Sequence, residues 1–340
     1  MSQTLMAFPA VSRRMFLRIL AAASSALALE GCAELAATGA NYGASDITLN
    51  PTVLIATNRK AVNGARGEPW FAPERASTVT VARAHLTPPD GGRFSLAAVG
   101  LGDWRLDGVE KASDVAALIA PAIGARDLLI YVHGFNQTFE ATVLDAARLS
   151  ESIKFHGDTM AFAWPSKAKL FDYGYDRESA MWSRDALEQV LSRMVANRAI
   201  GRMHIVAHSI GAMLAMEALR QLYARHGIAL VDRIGAVVFA SPDIDMDVFS
   251  SSVDHIGPLA PKVTVVTASN DRALALSRWF AGGMTRVGTA EKAQLERLGL
   301  KVIDASQQGW GVINHDLFLS NEQVRQVIRR AIEERPLDGA

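Results

Sequence analysis

The sequence predicts an α/β fold, a mostly parallel, doubly wound sheet with helices on both faces, and three observations predict it. Short, mostly apolar runs recur from Asp127 onward, at Leu128–Val132, Met160–Trp164, Met203–Ala207, Ala236–Ala240, Val263–Ala268 and Lys301–Asp304. Runs this short and this evenly apolar are the mark of strands buried on both faces. Helical patterns alternate with them, over Phe139–Lys154, Asp176–Asn197, Ala212–Arg225 and around Glu291–Leu298. In the second of these, Ala180, Met181, Ala186, Leu187, Val190, Leu191 and Met194 fall at three-and-four spacing, which turns one face to a sheet. Polar residues capable of chemistry follow several of the strands at once, at the carboxyl edge where an open parallel sheet keeps its sites.

The earlier part of the chain is less regular. Thr52–Ala56 (TVLIA) and Thr78–Leu86 (TVTVARAHL) read as strands, with a Gly/Pro-bearing loop between them that carries Trp70 and Phe71. That aromatic pair either packs the loop onto the domain or lines a pocket mouth. Ser95–Gly100 is a further possible strand, and Ser113–Ile123 reads as a helix. With 340 residues and 49% of them hydrophobic, the chain has room for one large domain or two small ones. No break in composition forces two, and one domain is expected over residues 51–335.

Composition also excludes classes of function. Lysine plus arginine equal aspartate plus glutamate at 35 each, so no electrostatic footprint for nucleic acid stands out. Cys32 is the single cysteine, which rules out an intramolecular disulfide and a cysteine-built metal site. No metal and no cofactor is expected.

Residues 1–32 have the shape of an export signal. Ser12–Leu17 (SRRMFL) gives a basic flank with paired arginines, as in twin-arginine signals, and Ile19–Leu29 is apolar or small. That run is shorter than the roughly twenty residues a permanent membrane helix needs. Leu29–Cys32 (LEGC) resembles a bacterial lipobox, with Glu30 in place of a small residue, and Cys32 is the candidate for lipidation. Ala26–Ala28 offers ordinary cleavage after Ala28 as the alternative. Residues 33–50, rich in Ala, Gly, Asn and Ser, read as a flexible tether. The expectation is an exported protein of the cell envelope or periplasm, with membrane attachment through a lipidated N-terminus if Cys32 is modified.

The chemistry centres on Met203–Leu214 (MHIVAHSIGAML), which places Ser209 where a strand gives way at once to a helix. Small residues two before and two after the serine, Ala207 and Gly211, are what a sharp turn demands. Such a turn raises the serine oxygen above the sheet and aims the first helical N–H groups at an oxyanion, the nucleophile elbow of α/β hydrolases. The alternative is a serine that merely caps a helix.

A serine hydroxyl needs a base, and that base an orienting acid. Candidates stand at strand ends. His315, in the connection before the last helix, is the expected base, because it comes last in the order Ser, Asp, His. Asp271 after Val263–Ala268 is the preferred acid, with Asp243 after Ala236–Ala240 as the alternative. His133–Asn136 (HGFN) follows the first core strand, so that the Phe135 N–H would join that of Ile210 in an oxyanion hole. His204 and His208 lie about 13 Å apart on a strand at about 3.3 Å per residue, too far to share an ion. His208 and His133 are expected to brace the elbow and the oxyanion loop. Asp243–Lys262, where lids are commonly inserted, is short and suggests a small cap over an open site.

Taken together, Ala56–Arg59 (ATNR), Tyr131–Asn136 (YVHGFN), Ala163–Ser166 (AWPS), Tyr175–Arg177 (YDR), Ala207–Gly211 (AHSIG), Ser241–Asp243 (SPD), Ser269–Arg272 (SNDR) and His315 resemble a bacterial α/β-hydrolase family of largely unassigned function, often described as esterase/lipase-superfamily enzymes. The resemblance implies an α/β-hydrolase fold and a triad of Ser209, His315 and an aspartate. Ile210 stands where similar sequences usually have methionine. The expected activity is hydrolysis of a small-molecule or lipid carboxylic ester. An acyltransferase using the same triad and a catalytically silent, envelope-tethered scaffold are the alternatives.

Overall fold

Nine strands form one sheet: β1 (Thr52–Ala61), β2 (Phe71–Thr87), β3 (Arg105–Ala112), β4 (Arg126–Val132), β5 (Asp158–Ala163), β6 (Ile200–His208), β7 (Ile234–Ala240), β8 (Val263–Thr267) and β9 (Lys301–Asp304), in the order β3-β2-β1-β5-β4-β6-β7-β8-β9. This computed structural model describes residues 52–62, 70–89, 104–119, 125–271, 274, 285–306 and 321–333. Its elements all belong to one unit, Ile47–Pro88 with Trp104–Ala340; of the other unit, Met1–Asp46 with Pro89–Asp103, only Pro89 is described. From β1 to β9 every pairing across the sheet is parallel, and β2 runs antiparallel to both its neighbours.

Alternation along the strands explains why both faces are covered. On β4, Leu128, Ile130 and Val132 enter one core while Leu129 and Tyr131 enter the other. The first core receives α4 (Arg184–Ala196), α5 (Ile210–His226) and α7 (Met246–Ile256); the second receives α2 (Phe139–Ser152) and α9 (Glu322–Glu333). The other α-helices among the described residues are α1 (Val115–Leu118), α3 (Tyr173–Trp182), α6 (Ala229–Arg233) and α8 (Lys292–Glu296). The doubly wound α/β expectation holds.

Several details differ from the sequence reading. The single helix expected over Asp176–Asn197 is α3 and α4, broken at Ser183. The Ser183 hydroxyl bonds back to the Ser179 carbonyl and also accepts from Asn58 Nδ2, a use of the side chain that competes with regular helix. β2 begins at Phe71 rather than Thr78, and Phe71 is buried against Phe139 with ring centroids 4.7 Å apart. β3, absent from the sequence reading, is an edge strand whose charged sequence, RLDGVEKA, hides its strand character. The Asp243–Lys262 segment is not a cap. It holds α7, whose N-terminus Asp245 caps through bonds from Asp247 N and Val248 N, and which buries Phe249, Val253 and Ile256. The possible strand Ser95–Gly100 lies outside the described residues.

Candidate active site

β6 ends at His208 and α5 begins at Ile210, leaving Ser209 alone to make the turn. Its backbone stands at φ 53 and ψ −123, a conformation a β-carbon disfavours and that persists only when neighbours impose it. The neighbours are visible. Ser209 N donates to the Ala240 carbonyl at 3.0 Å, and the Ser209 carbonyl accepts from Ala212 N at 3.0 Å and from Asp243 N at 3.2 Å. The side chain makes no capping bond to α5, so the serine is not serving as a helix cap.

Small residues let the Ser209 turn sit against the HGFN loop. A β-carbon on Gly211 would lie 2.1 Å from the His133 carbonyl oxygen, and one on Gly134 would lie 2.7 Å from His208 Nδ1 and 3.0 Å from Ser209 Cβ. Thus the structure brings the HGFN loop directly beside Ser209, with Ile210 fully buried behind it. His208 is itself buried on the strand end, in the bracing position expected of it.

The loop is then fixed by a buried polar network. Asn136, at φ 60, donates its N–H to Asp176 Oδ2 at 3.1 Å, and Gln137 N donates to Ser166 Oγ at 3.1 Å. Asp176 also accepts from the Ser166 hydroxyl at 2.6 Å and from Lys167 N at 2.8 Å. Burial raises its pKa, while these three donors oppose the rise. Arg59 closes the network by donating to the carbonyls of Ser166 and Gln137, at 3.1 and 2.7 Å; burial lowers its pKa to about 10, so it stays a cation at neutral pH.

His133 is a brace. Its ring stacks on Trp164 with centroids 4.5 Å apart, its nitrogens face the carbonyls of Gly134 and Trp164, and Trp164 Nε1 donates back to the His133 carbonyl at 2.8 Å. Burial, with the nearby Arg59 charge, lowers its pKa to about 3, and the neutral ring donates to one carbonyl at a time. His204 is buried midway along β6, with Nε2 3.5 Å from Asp127 Oδ2. Among the described residues no cluster of three or more His, Cys, Asp or Glu is placed to hold a metal.

The two candidate acids differ in company. Asp243 is buried in an ion pair with Arg286, Nε to Oδ1 3.1 Å, and its Oδ2 accepts the Tyr173 hydroxyl at 2.7 Å. Asp271, equally buried just past β8, accepts Leu274 N on Oδ1 at 3.0 Å. His315 and Cys32 lie outside the described residues. His255, on the last turn of α7, is exposed and bonded to the Ser251 carbonyl.

Sequence reasoning gave no role to Tyr173 or Arg286. Tyr173 is on the first turn of α3, and Arg286 enters from a segment far along the chain; neither carries a local signal. Asp176 and Arg59 stood within quoted motifs, but their partnership with the loop did not show.

A parallel sheet wound on both faces, with a strained serine between a central strand and its helix, defines an α/β hydrolase. The chain belongs to the family described as alpha/beta hydrolase of unknown function (DUF900), whose match spans residues 115–331. An uncharacterized protein of Nostoc sp. (strain PCC 7120) is 25% identical over 122 residues, which cover 28% of this chain and 32% of that protein. The match therefore spans about a third of the length of that curated relative. Among solved structures, a Pyrobaculum calidifontis esterase aligns at 12% identity over 94% of this chain and 95% of its own, with a TM-score of 0.39. A carboxylesterase from a metagenomic library, EstE1, aligns at 12% identity over 76% and 86%, with a TM-score of 0.37.

Proposed function

We propose that the protein is a serine hydrolase that cleaves a carboxylic ester through an acyl-enzyme at Ser209. The observation that carries this reading is the strained Ser209 backbone, held by bonds from two sides with the glycine of the HGFN loop against it. Ser209 Oγ attacks the carbonyl carbon as His315 takes its proton; the Phe135 and Ile210 N–H groups receive the oxyanion. His315 then protonates the departing alcohol. Water, deprotonated by the same histidine, attacks the acyl-enzyme and releases the acid. Asp271 orients His315. The engagement of Asp243 by Arg286 and Tyr173 supports this choice, since Asp243 already serves a buried cation. With an alcohol in place of water, the same steps give acyl transfer.

Fluorophosphonate labelling of the purified protein, beside Ser209→Ala and His315→Ala, tests the reading. Labelling that depends on both residues is expected, and labelling that survives Ser209→Ala sinks it. Asp271→Asn should slow ester turnover by about 10⁴-fold, as loss of a triad acid does. If only Asp243→Asn is severe, the acid is Asp243. Export and lipidation at Cys32 complete the proposal: Cys32→Ala should move the protein out of the membrane fraction, and an unchanged distribution rejects lipidation.

A further inference from the structure

We propose that Tyr173 is a positioning residue that sets the distance between the two halves of the oxyanion hole, an inference that rests on the serine-hydrolase reading. The hole has donors on separate elements. Ile210 is bonded to Ser209 and moves with it; Phe135 stands on the loop after β4 and must be held in place from outside. Proximity of Gly134 to the elbow limits how near the loop can come, but does not stop it from drifting away.

Tyr173 supplies that restraint. Its ring meets the Phe135 ring edge-on, with centroids 5.5 Å apart and planes at 69°, an attractive arrangement for two aromatic quadrupoles. Its hydroxyl donates to Asp243 Oδ2 at 2.7 Å, and Asp243 N donates to the Ser209 carbonyl at 3.2 Å. The result is a closed circuit from Phe135 through Tyr173 and Asp243 to Ser209. It joins the loop after β4, the start of α3, the end of β7 and the elbow. Three of its joints are short-range contacts, so a shift of the loop strains the others.

Arg286 gives the circuit its stiffness. Asp243 and Arg286 are both almost fully buried, and their charges are 3.1 Å apart. The Arg286 guanidinium beside it makes Asp243 a charge-assisted acceptor for the Tyr173 hydroxyl. Arg286 is itself held by its backbone. Val287 N donates to the Ile244 carbonyl and Gly288 N to the Pro242 carbonyl, so the arginine segment runs beside the Asp243 turn. A second tie at the same helix start is independent of the tyrosine: Asp176, three residues on, holds Asn136 N. Loss of the Tyr173 hydroxyl therefore loosens the loop without releasing it.

The experiment compares wild type with Tyr173→Phe, which keeps the ring and removes the bond to Asp243. The expected result is a fall of about tenfold in the fluorophosphonate labelling rate and in kcat for a chromogenic ester, with KM within a factor of two. That is less than the 10²- to 10³-fold that follows loss of an oxyanion donor outright. Inhibition by a trifluoromethyl ketone, which forms a tetrahedral oxyanion on serine, should weaken in step with kcat/KM. The melting temperature should stay within a few degrees, which separates positioning from stability. Phe135→Leu keeps the donor N–H and removes the ring contact from the other side. Its loss of rate and that of Tyr173→Phe should be non-additive in the double variant. A Tyr173→Phe enzyme that labels as fast as wild type, or losses that simply multiply, overturns the proposal and leaves the serine-hydrolase reading standing. A wild type that shows no Ser209-dependent labelling overturns both.

Discussion

Gly211→Ala would test the elbow most directly, because the cost can be worked from contacts. Gly211 is in the first turn of α5, where an alanine by itself favours helix by about 1 kcal/mol. The added carbon, however, would sit 2.1 Å from the His133 carbonyl oxygen, 2.7 Å from that of Val132 and 2.9 Å from the His133 carbonyl carbon, against ordinary contact at 3.4 Å and beyond. All three atoms are backbone at the end of a central strand, so no side chain can swing aside. The helix start must retreat by about 1 Å, and overpacking of this kind costs about 1–3 kcal/mol. Set against the propensity gain, the clash leaves a net loss of up to about 2 kcal/mol in urea unfolding. The functional loss is larger. Retreat of α5 carries Ser209 and Ile210 away from the HGFN loop, and a misplacement of about 1 Å costs on the order of 10²-fold in rate. The assay is the second-order rate of fluorophosphonate labelling beside an unfolding curve. A variant about 1 kcal/mol more stable than wild type, labelling at the wild-type rate, would show that the contact relaxes freely and refute the reasoning.

Two other outcomes follow from the buried polar groups. His133 has its folded pKa lowered to about 3 and His204 is lowered as well, both through burial first. The unfolded chain therefore takes up protons near pH 6.5 while the folded one does not, so their contribution is full above that pH and is lost as pH falls below it, for His133 down to about 3. From His133 alone the slope is about 1.4 kcal/mol per pH unit, or about 2 kcal/mol between pH 6.5 and 5; unfolding free energies that stay flat over that span would contradict it. Arg286→Met should destabilise by about 3–5 kcal/mol, since it strands the Asp243 carboxylate without its buried cation. A loss under 1 kcal/mol in urea unfolding would refute it.

The strain at Ser209 and the network at the HGFN loop belong to one design. The elbow is held in a left-handed conformation by a hydrogen bond from Ser209 N to Ala240 and by bonds from Ala212 and Asp243 to its carbonyl, and the loop opposite it is clamped by Arg59, Ser166 and Asp176. Each element is fixed by its own bonds, and Tyr173 and Asp243 tie the one to the other, which is preorganisation of the kind an oxyanion site requires.

How much of this was legible depended on the range of the interaction. The core strands β4 to β8 carry short, mostly apolar runs, because burial on both faces acts along the run, whereas β9 (KVID), at the sheet edge, is exposed at Lys301 and Asp304. The elbow was legible because its demand for small residues falls at Ala207 and Gly211, within two positions of the serine. β3 escaped because an edge strand is protected by charge, which reads as loop. The break at Ser183 depended on Asn58, and the small cap expected at Asp243–Lys262 is a core helix because Phe249, Val253 and Ile256 found the first core. By itself, then, the sequence determined the α/β class, the position of the sharp turn at Ser209 and the strand ends at which polar residues gather. Only the tertiary structure decided which of those residues meet. The partnership of Asp243 with Arg286 and Tyr173, and the seat of Asp176 under Asn136, arise from packing elements that are 40 or 70 residues apart. Periodicity records what each residue needs from its own element, and carries no record of which other element will be packed against it.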